Sequence, residues 1–142
     1  MNTSQIGNIG EAKALCKFVE LGVPVYIPFG DGYEIDMIAI FNGKANRIQI
    51  KTTELVHNDS LMHWRTTKQD GYHGSKTKYD NNSVDYFVFY CIESDTLCLI
   101  PFEDIQSETI SIRLDSYSGV RLSTMRFAND YRFEKIINQT NE

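Results

Sequence analysis

Long apolar runs are missing from this chain. The strongest stretches, at residues 87–92 and 97–102, fall far short of the roughly 20 residues that a membrane-spanning helix needs. The opening MNTSQIGNIGEAK has no basic segment followed by an apolar one, so secretion is not expected. Cysteine is scarce and odd in number, three in 142 residues, which excludes a disulfide scaffold and fits a reduced, intracellular and cytoplasmic protein with no membrane partner. No repeat, low-complexity tract or linker divides the sequence, and a single domain over residues 1–142 is expected. GxGxxG, Walker and GxSxG patterns are all absent, so nucleotide binding and acyl transfer gain no support. HxxxH and CxxC spacings are absent too, and His57, His63 and His73 give little support to a zinc site.

What is present is ordinary globular composition, 42% hydrophobic and 12% aromatic. A fold of this size buries roughly two-thirds of its unfolded surface, so it needs no covalent staple. The formal net charge of −5 argues mildly against a nucleic-acid partner until its distribution is examined. Residues 44–79 carry seven cations (Lys44, Arg47, Lys51, Arg65, Lys68, Lys76, Lys78) against three acids, whereas residues 80–108 carry seven acids and no cation. Residues 113–135 return to an excess of cations. An acidic total therefore leaves room for a basic working face.

The first element reads as a helix over residues 4–21, with Thr3 or Ser4 as N-cap and Gly22 as its stop. Ile9, Ala12, Leu15, Cys16 and Val19 recur at helical spacing and predict the buried face, with Glu11 at its edge. Residues 23–28, 34–41, 47–51, 60–65, 86–92, 96–100 and 109–114 read as strands. Residues 69–83 are turn-rich and read as a long loop with at most a short helix. One helical turn is expected over 102–105 and a short helix near 129–137. The pattern predicts an α/β (α+β) fold with a central mixed β-sheet flanked by helices.

Asn42-Gly43 between two apolar segments is a strong hairpin signal. A two-residue turn there makes paired positions sum to 85, so Asp36 lies opposite Gln49, with Lys51 diagonal on the same face. The other face carries Ile35, Met37, Ala39, Phe41, Ile48 and Ile50 and is uniformly apolar. A three-residue turn would break the cluster. Asp36 sits in a segment otherwise apolar enough to be half-buried, and a buried carboxylate needs a partner, a proton or a metal. Spacing alone admits two readings. In one, Asp36 and Lys51 form an ion pair that ties the hairpin. In the other, Asp36 holds Mg²⁺ at a phosphodiester site, Gln49 supplies an amide oxygen to the same ion, and Lys51 orients the attacking water or stabilises charge on the phosphate.

Asp36, then twelve residues, then Gln49-Ile50-Lys51, after a helix bearing Glu11, resembles the PD-(D/E)xK nuclease superfamily. GNIGEAKALCKFVELGVPVYIPFGDGYEIDMIAI, RIQIKT and VDYFVFYCIESDTLCLIP are similar to the small endonucleases encoded in group I introns, notably cyanobacterial ones. The resemblance covers residues 5–52 and 84–101, and more loosely the C-terminal part. It implies a restriction-endonuclease-like core and a Mg²⁺-dependent endonuclease, with Mn²⁺ as a substitute, hydrolysing double-stranded DNA. It also implies Glu11, Asp36 and Gln49 as metal ligands and Lys51 as the catalytic amine. Two positions depart from the pattern: Ile35 stands where a proline precedes the first acid, and Gln49 stands where a second acid is usual. An amide oxygen still ligates a hard cation, but it adds no charge and binds more weakly.

Lys68, Tyr72, His73, Lys76, Lys78 and Tyr79 are interleaved with glycines and suit phosphate contact and groove entry, with Arg47 and Arg65 nearby. Arg113, Arg121 and Arg126 form a second candidate patch. A homing enzyme implies a long, pseudo-palindromic target, which one small subunit cannot span, so a homo-oligomer (dimer or tetramer) is expected. The alternatives are a Holliday-junction resolvase or restriction-type nuclease of the same superfamily, or a catalytically inactive DNA-binding module. Cys91 and Cys98 would face each other across a loop of residues 93–96, and buried reduced thiols are expected there; Trp64 is expected in the core or a subunit contact.

Overall fold

A computed structural model describes residues 1–69, 76–79 and 83–137; for residues 68, 69 and 76–78 only the backbone is described. The opening helix α1 spans Thr3–Glu20. Its N-cap is Asn2, not Thr3 or Ser4: the Gln5 N–H donates to Asn2 Oδ1 and the Asn2 N–H donates to Gln5 Oε1, both at 2.9 Å. This reciprocal box satisfies two donors that would otherwise be orphaned. The buried stripe also differs from the sequence expectation. Gly10, Ala14 and Phe18 face the core, while Ala12 and Cys16 are exposed and Val19 is 60% exposed. The sheet approaches the helix backbone closely at Gly10, where a Cβ would fall 3.2 Å from Thr52 Cβ, and this turns the buried stripe onto Gly10, Ala14 and Phe18.

Among the described residues, nine strands follow. β1 (Val25–Tyr26), β2 (Met37–Phe41), β3 (Lys44–Thr53), β7 (Tyr86–Cys91) and β8 (Thr96–Pro101) form a five-stranded sheet in the order β1-β2-β3-β7-β8. The β3–β7 pair is parallel and the others are antiparallel, which makes the expected mixed sheet. β4 (Leu61–Arg65) pairs with β9 (Thr109–Arg113), and β5 (Thr67–Gln69) pairs with β6 (Lys76–Lys78), each in its own small sheet. The region read as a loop thus contains a strand, β6, and its tip lies outside the described residues. The expected C-terminal helix is divided: a 3-10 turn at Ala128–Tyr131 and then a single α-turn, α2 (Phe133–Ile136). Another 3-10 turn covers Phe102–Asp104.

Cores form on both faces of the five-stranded sheet. On one, Phe18 of α1 packs against Phe133 at 4.9 Å between ring centroids, and against Phe41 at 6.0 Å. On the other, Met62, Trp64, Ile110 and Ile112 of the β4–β9 sheet cover Phe87, Phe89 and Ile100. β7 is covered on both sides, which is why YFVFYC reads as continuous and not alternating hydrophobicity. Trp64 belongs to this core, and its indole N–H donates to the Tyr90 carbonyl at 2.9 Å. Cys91 pairs with Thr96 and Cys98 with Phe89, so the two cysteines are diagonal and not opposite; the loop is 92–95, one residue earlier than expected, with Asp95 in the left-handed region. Both thiols are buried and free, and burial pushes the Cys98 thiol up to about 12. No described helix is long and apolar enough to cross a membrane.

Candidate active site

The β2–β3 hairpin sets the geometry. Asn42 and Gly43 both adopt positive φ (54° and 77°), the mirror-image turn that matches strand twist. Phe41 pairs with Lys44 and Met37 with Ile48, the two-residue register. Asn46 latches the turn, its buried Nδ2 donating to the carbonyls of Ala39, Phe41 and Lys44 at 3.0–3.2 Å. Just before β2, the Asp36 N–H donates to the Ile48 carbonyl and the Ile50 N–H donates back to Asp36 Oδ2, both at 2.8 Å. The paired register ends at Met37–Ile48, and Asp36 grips β3 from just outside it through its backbone N–H and its carboxylate. Met37, Ala39, Phe41, Ile48 and Ile50 are buried in the α1-side core as expected, which leaves Gln49 and Lys51 on the other face of β3; Ile35, expected with the buried set, packs against the opposite core because the strand alternation ends at Met37.

Glu11 reaches the same place from α1. A cleft of about 250 Å³ is walled by Glu11 and Asp36 and by the loop carrying Ile27, Pro28 and Tyr33. Gln49 and Lys51 lie on β3, outside those walls. Burial, and then the neighbouring charge of Asp36, raises the Glu11 carboxyl above its usual range. Burial raises Asp36 as well, against the opposing pull of the Ile50 N–H and the Lys51 charge. Two carboxylates that both resist ionisation describe a site short of positive charge. Hard oxygen donors of that kind fit a small divalent cation, which takes one or two carboxylates and keeps several waters, while Gln49, the expected third ligand, turns its Nε2 to the Ile50 carbonyl at 3.4 Å. Among the described residues, no group of three or more His, Cys, Asp or Glu side chains is placed to hold a metal ion.

Lys51 is not spent on Asp36. Its Nζ donates to the Thr67 carbonyl at 2.9 Å and stands 5.1 Å from the centroid of the Tyr79 ring. Burial lowers its proton affinity; Asp36 opposes that shift and Arg65 adds to it. Tyr79 is only 8% exposed, and burial followed by the Asp36 charge pushes its hydroxyl up to about 12.

A model of the PD-(D/E)XK endonuclease family matches residues 1–134. The chain belongs to that family. The match with solved structures agrees on the fold: a bacterial homing endonuclease, I-Ssp6803I, superposes with a TM-score of 0.71 at 20% identity, covering 93% of this chain and 89% of that one. The comparison with curated proteins gives no match. In this PD-(D/E)XK nuclease, Glu11 of α1 and Asp36 wall one cleft, and Lys51 stands close enough to Asp36 for their charges to interact.

The cations read from sequence as DNA contacts are distributed unevenly. Arg47 clamps Asp85, Nε to Oδ2 and an Nη to Oδ1 at 2.9 Å each, while its backbone N–H also donates to Asp85 Oδ2. These bonds hold the Asp85 carboxyl below the usual range and tie β3 to the start of β7. Arg113 lies 4.2 Å from the Tyr117 ring and bonds Ser60 Oγ. Arg121 lies 4.1 Å from the Phe127 ring and donates to the Asp115 and Tyr117 carbonyls. Arg126 donates to the Asp104 carbonyl and Tyr131 hydroxyl. All four are committed to intramolecular contacts that the sequence did not reveal. Arg65 is exposed and electrostatically coupled to Lys51. The backbones of Lys68, Lys76 and Lys78 lie on the β5–β6 hairpin, next to the Lys51 anchor; Tyr72 and His73 lie outside the described residues. Two participants escaped sequence reasoning. Thr67 carried no signal, and Tyr79 was read as a DNA-facing loop residue when it is buried beneath Lys51.

Proposed function

We propose that this protein is a site-specific endonuclease of the homing type, hydrolysing phosphodiester bonds in double-stranded DNA with Mg²⁺, or Mn²⁺ in its place. The observation that carries the reading is the convergence of Glu11 and Asp36 on one cleft, each raised in proton affinity by burial, with Lys51 held on the adjoining strand. Glu11 and Asp36 would hold the cation, and Gln49 would contribute an amide oxygen. When bound, the ion supplies Lewis-acid polarisation of the phosphate and a lower pKa for its water. Asp36 presents a carboxylate whose rotation is fixed by the Ile50 N–H, so little ordering remains to be done when the site fills. Lys51 brings one positive charge on the same face, placed to stabilise charge that builds on the phosphate.

The β5–β6 hairpin, with Lys68, Lys76 and Lys78 beside Lys51 and Arg65, is the segment proposed to track the DNA backbone. A long pseudo-palindromic target and a homo-oligomer, dimer or tetramer, acting inside the cell, complete the proposal. The test is cleavage of duplex DNA carrying the intron-free host locus. Wild-type protein with Mg²⁺ should give one double-strand cut. Lys51→Ala should abolish cutting while leaving DNA binding in place, and retained cleavage would remove Lys51 from the mechanism. Binding without any nicking in Mg²⁺ or Mn²⁺ would favour the inactive DNA-binding module, and preferential cutting of four-way junctions would favour a resolvase.

A further inference from the structure

Lys51 is a half-buried side chain on β3 whose four-carbon stem, unheld, would sample many rotamers, at about 2 kcal/mol of rotamer entropy. Two contacts hold it here, and both come from one hairpin. The Thr67 carbonyl on β5 accepts from Nζ at 2.9 Å, and Tyr79, the residue leaving β6, offers its ring at 5.1 Å. The ring is itself fixed from behind. It meets Phe87 edge-on, at 5.5 Å and 83°, and Phe87 stacks on Phe89 at 5.3 Å and 11°. Phe87 is the residue paired with Gln49 in the β3–β7 ladder, so the aromatic support is keyed to the same rung as the site.

We propose that Tyr79 is a positioning residue for the nuclease reaction, holding the Lys51 ammonium through the face of its ring so that the charge is in place before DNA arrives. The idea rests on the nuclease reading. It goes beyond that reading in naming a residue outside the acid-and-lysine pattern, and in assigning the work to a π-face and not to a hydroxyl. A desolvated ammonium over an aromatic face is held electrostatically by the ring quadrupole, and a pre-ordered charge costs no reorganisation during the reaction.

Progressive ring fluorination separates this role from packing, because it drains the ring face of negative potential at nearly constant shape. The probe is Mn²⁺-promoted nicking of supercoiled plasmid by the full chain, with Phe, 4-fluoro-, 3,5-difluoro- and 3,4,5-trifluoro-Phe at position 79. Tyr79→Phe keeps the ring face and is the reference for the series. The series should then lose kcat stepwise, by roughly tenfold in all, with KM for the plasmid unchanged. A second readout needs no DNA: the Lys51 ε-methylene protons should be shifted upfield by the ring in wild type and Tyr79→Phe, and should return to ordinary values in Tyr79→Leu. A flat fluorination series, or unshifted Lys51 protons in the wild type, would overturn the role of Tyr79 and leave the nuclease reading intact. Wild-type protein that never nicks, with Lys51→Ala no different, would overturn the nuclease reading and with it any catalytic purpose for the contact.

Discussion

Gly10→Ala sets helix propensity against packing, and the structure decides which prevails. In a free helix, alanine is favoured over glycine by about 1 kcal/mol. Here a Cβ on residue 10 would fall well inside van der Waals contact with Thr52 Oγ1, 3.2 Å from Thr52 Cβ and 3.5 Å from Ile50 Cγ2. Those atoms cannot step aside easily. Thr52 is β-branched and stiff at χ1, and β3 is paired on both sides, by β2 and β7. The helix must shift instead, and overpacking of this kind costs about 1–3 kcal/mol. With rigid neighbours the upper part of that range applies, so the net loss is about 1–2 kcal/mol, a fall in Tm of about 4–8 °C for a chain of this size. Glu11 is the next residue, so lifting the helix also draws its carboxylate away from Asp36, and a misplacement near 1 Å can cost about 100-fold in rate. The assay is thermal unfolding followed by circular dichroism, with and without Mn²⁺. Gly10→Ala should lower Tm and blunt the stabilisation by Mn²⁺, and Thr52→Ala in the same chain should restore both. A Gly10→Ala variant that melts higher than wild type, or is not rescued by Thr52→Ala, would refute the close approach of α1 to β3.

Other perturbations have signs that follow from the same coordinates. Glu11 and Asp36 have folded-state proton affinities above their unfolded values near 4.5 and 3.8, so the folded chain retains protons that the unfolded chain releases, and their contribution to stability falls as pH rises through that window. In chelator at pH 7, Asp36→Asn and Glu11→Gln should therefore melt higher than wild type, with the gap closing towards pH 4 in a Tm-against-pH series. Arg47→Met should cost about 1–2 kcal/mol by urea unfolding, because the part-buried Asp85 loses charged hydrogen bonds, while DNA affinity changes little. Asp85 is depressed, so the stability that pair contributes should be lost as pH falls through its low folded value, and the variant should show less acid sensitivity below pH 4. Asn46→Ala should cost about 1–3 kcal/mol, since three carbonyls lose their buried donor, and should broaden amide signals at the hairpin turn in NMR spectra.

The parts of the site that sequence made legible are those fixed by local chemistry. Asn-Gly permits one short turn, the turn fixes the register from Phe41–Lys44 to Met37–Ile48, and Asp36, just before the paired strand, is brought to the Ile50 N–H and within electrostatic reach of Lys51. The doubly covered β7 was legible for a similar reason, as an apolar run too short for anything but a buried strand. What stayed hidden depends on contacts distant in sequence. The helix stripe was misjudged because a glycine pressed against Thr52 has no hydropathy signal. Charge counting carries no information on what Arg47, Arg113, Arg121 and Arg126 touch within the chain, which is an aspartate, backbone carbonyls and aromatic rings. The β5–β6 pairing was obscured by the glycines and polar residues between its legs, and with it the anchoring of Lys51 by Thr67 and Tyr79.

The account stands on Glu11 and Asp36 together holding a divalent cation, and titration calorimetry with Mn²⁺ measures that directly. Wild-type protein should bind the ion and, at a hundredfold excess over the dissociation constant, gain about 2.7 kcal/mol of stability, while Asp36→Asn and Glu11→Gln each lose most of the binding heat and the gain. Undiminished binding in either variant, or none in the folded wild type, would contradict it.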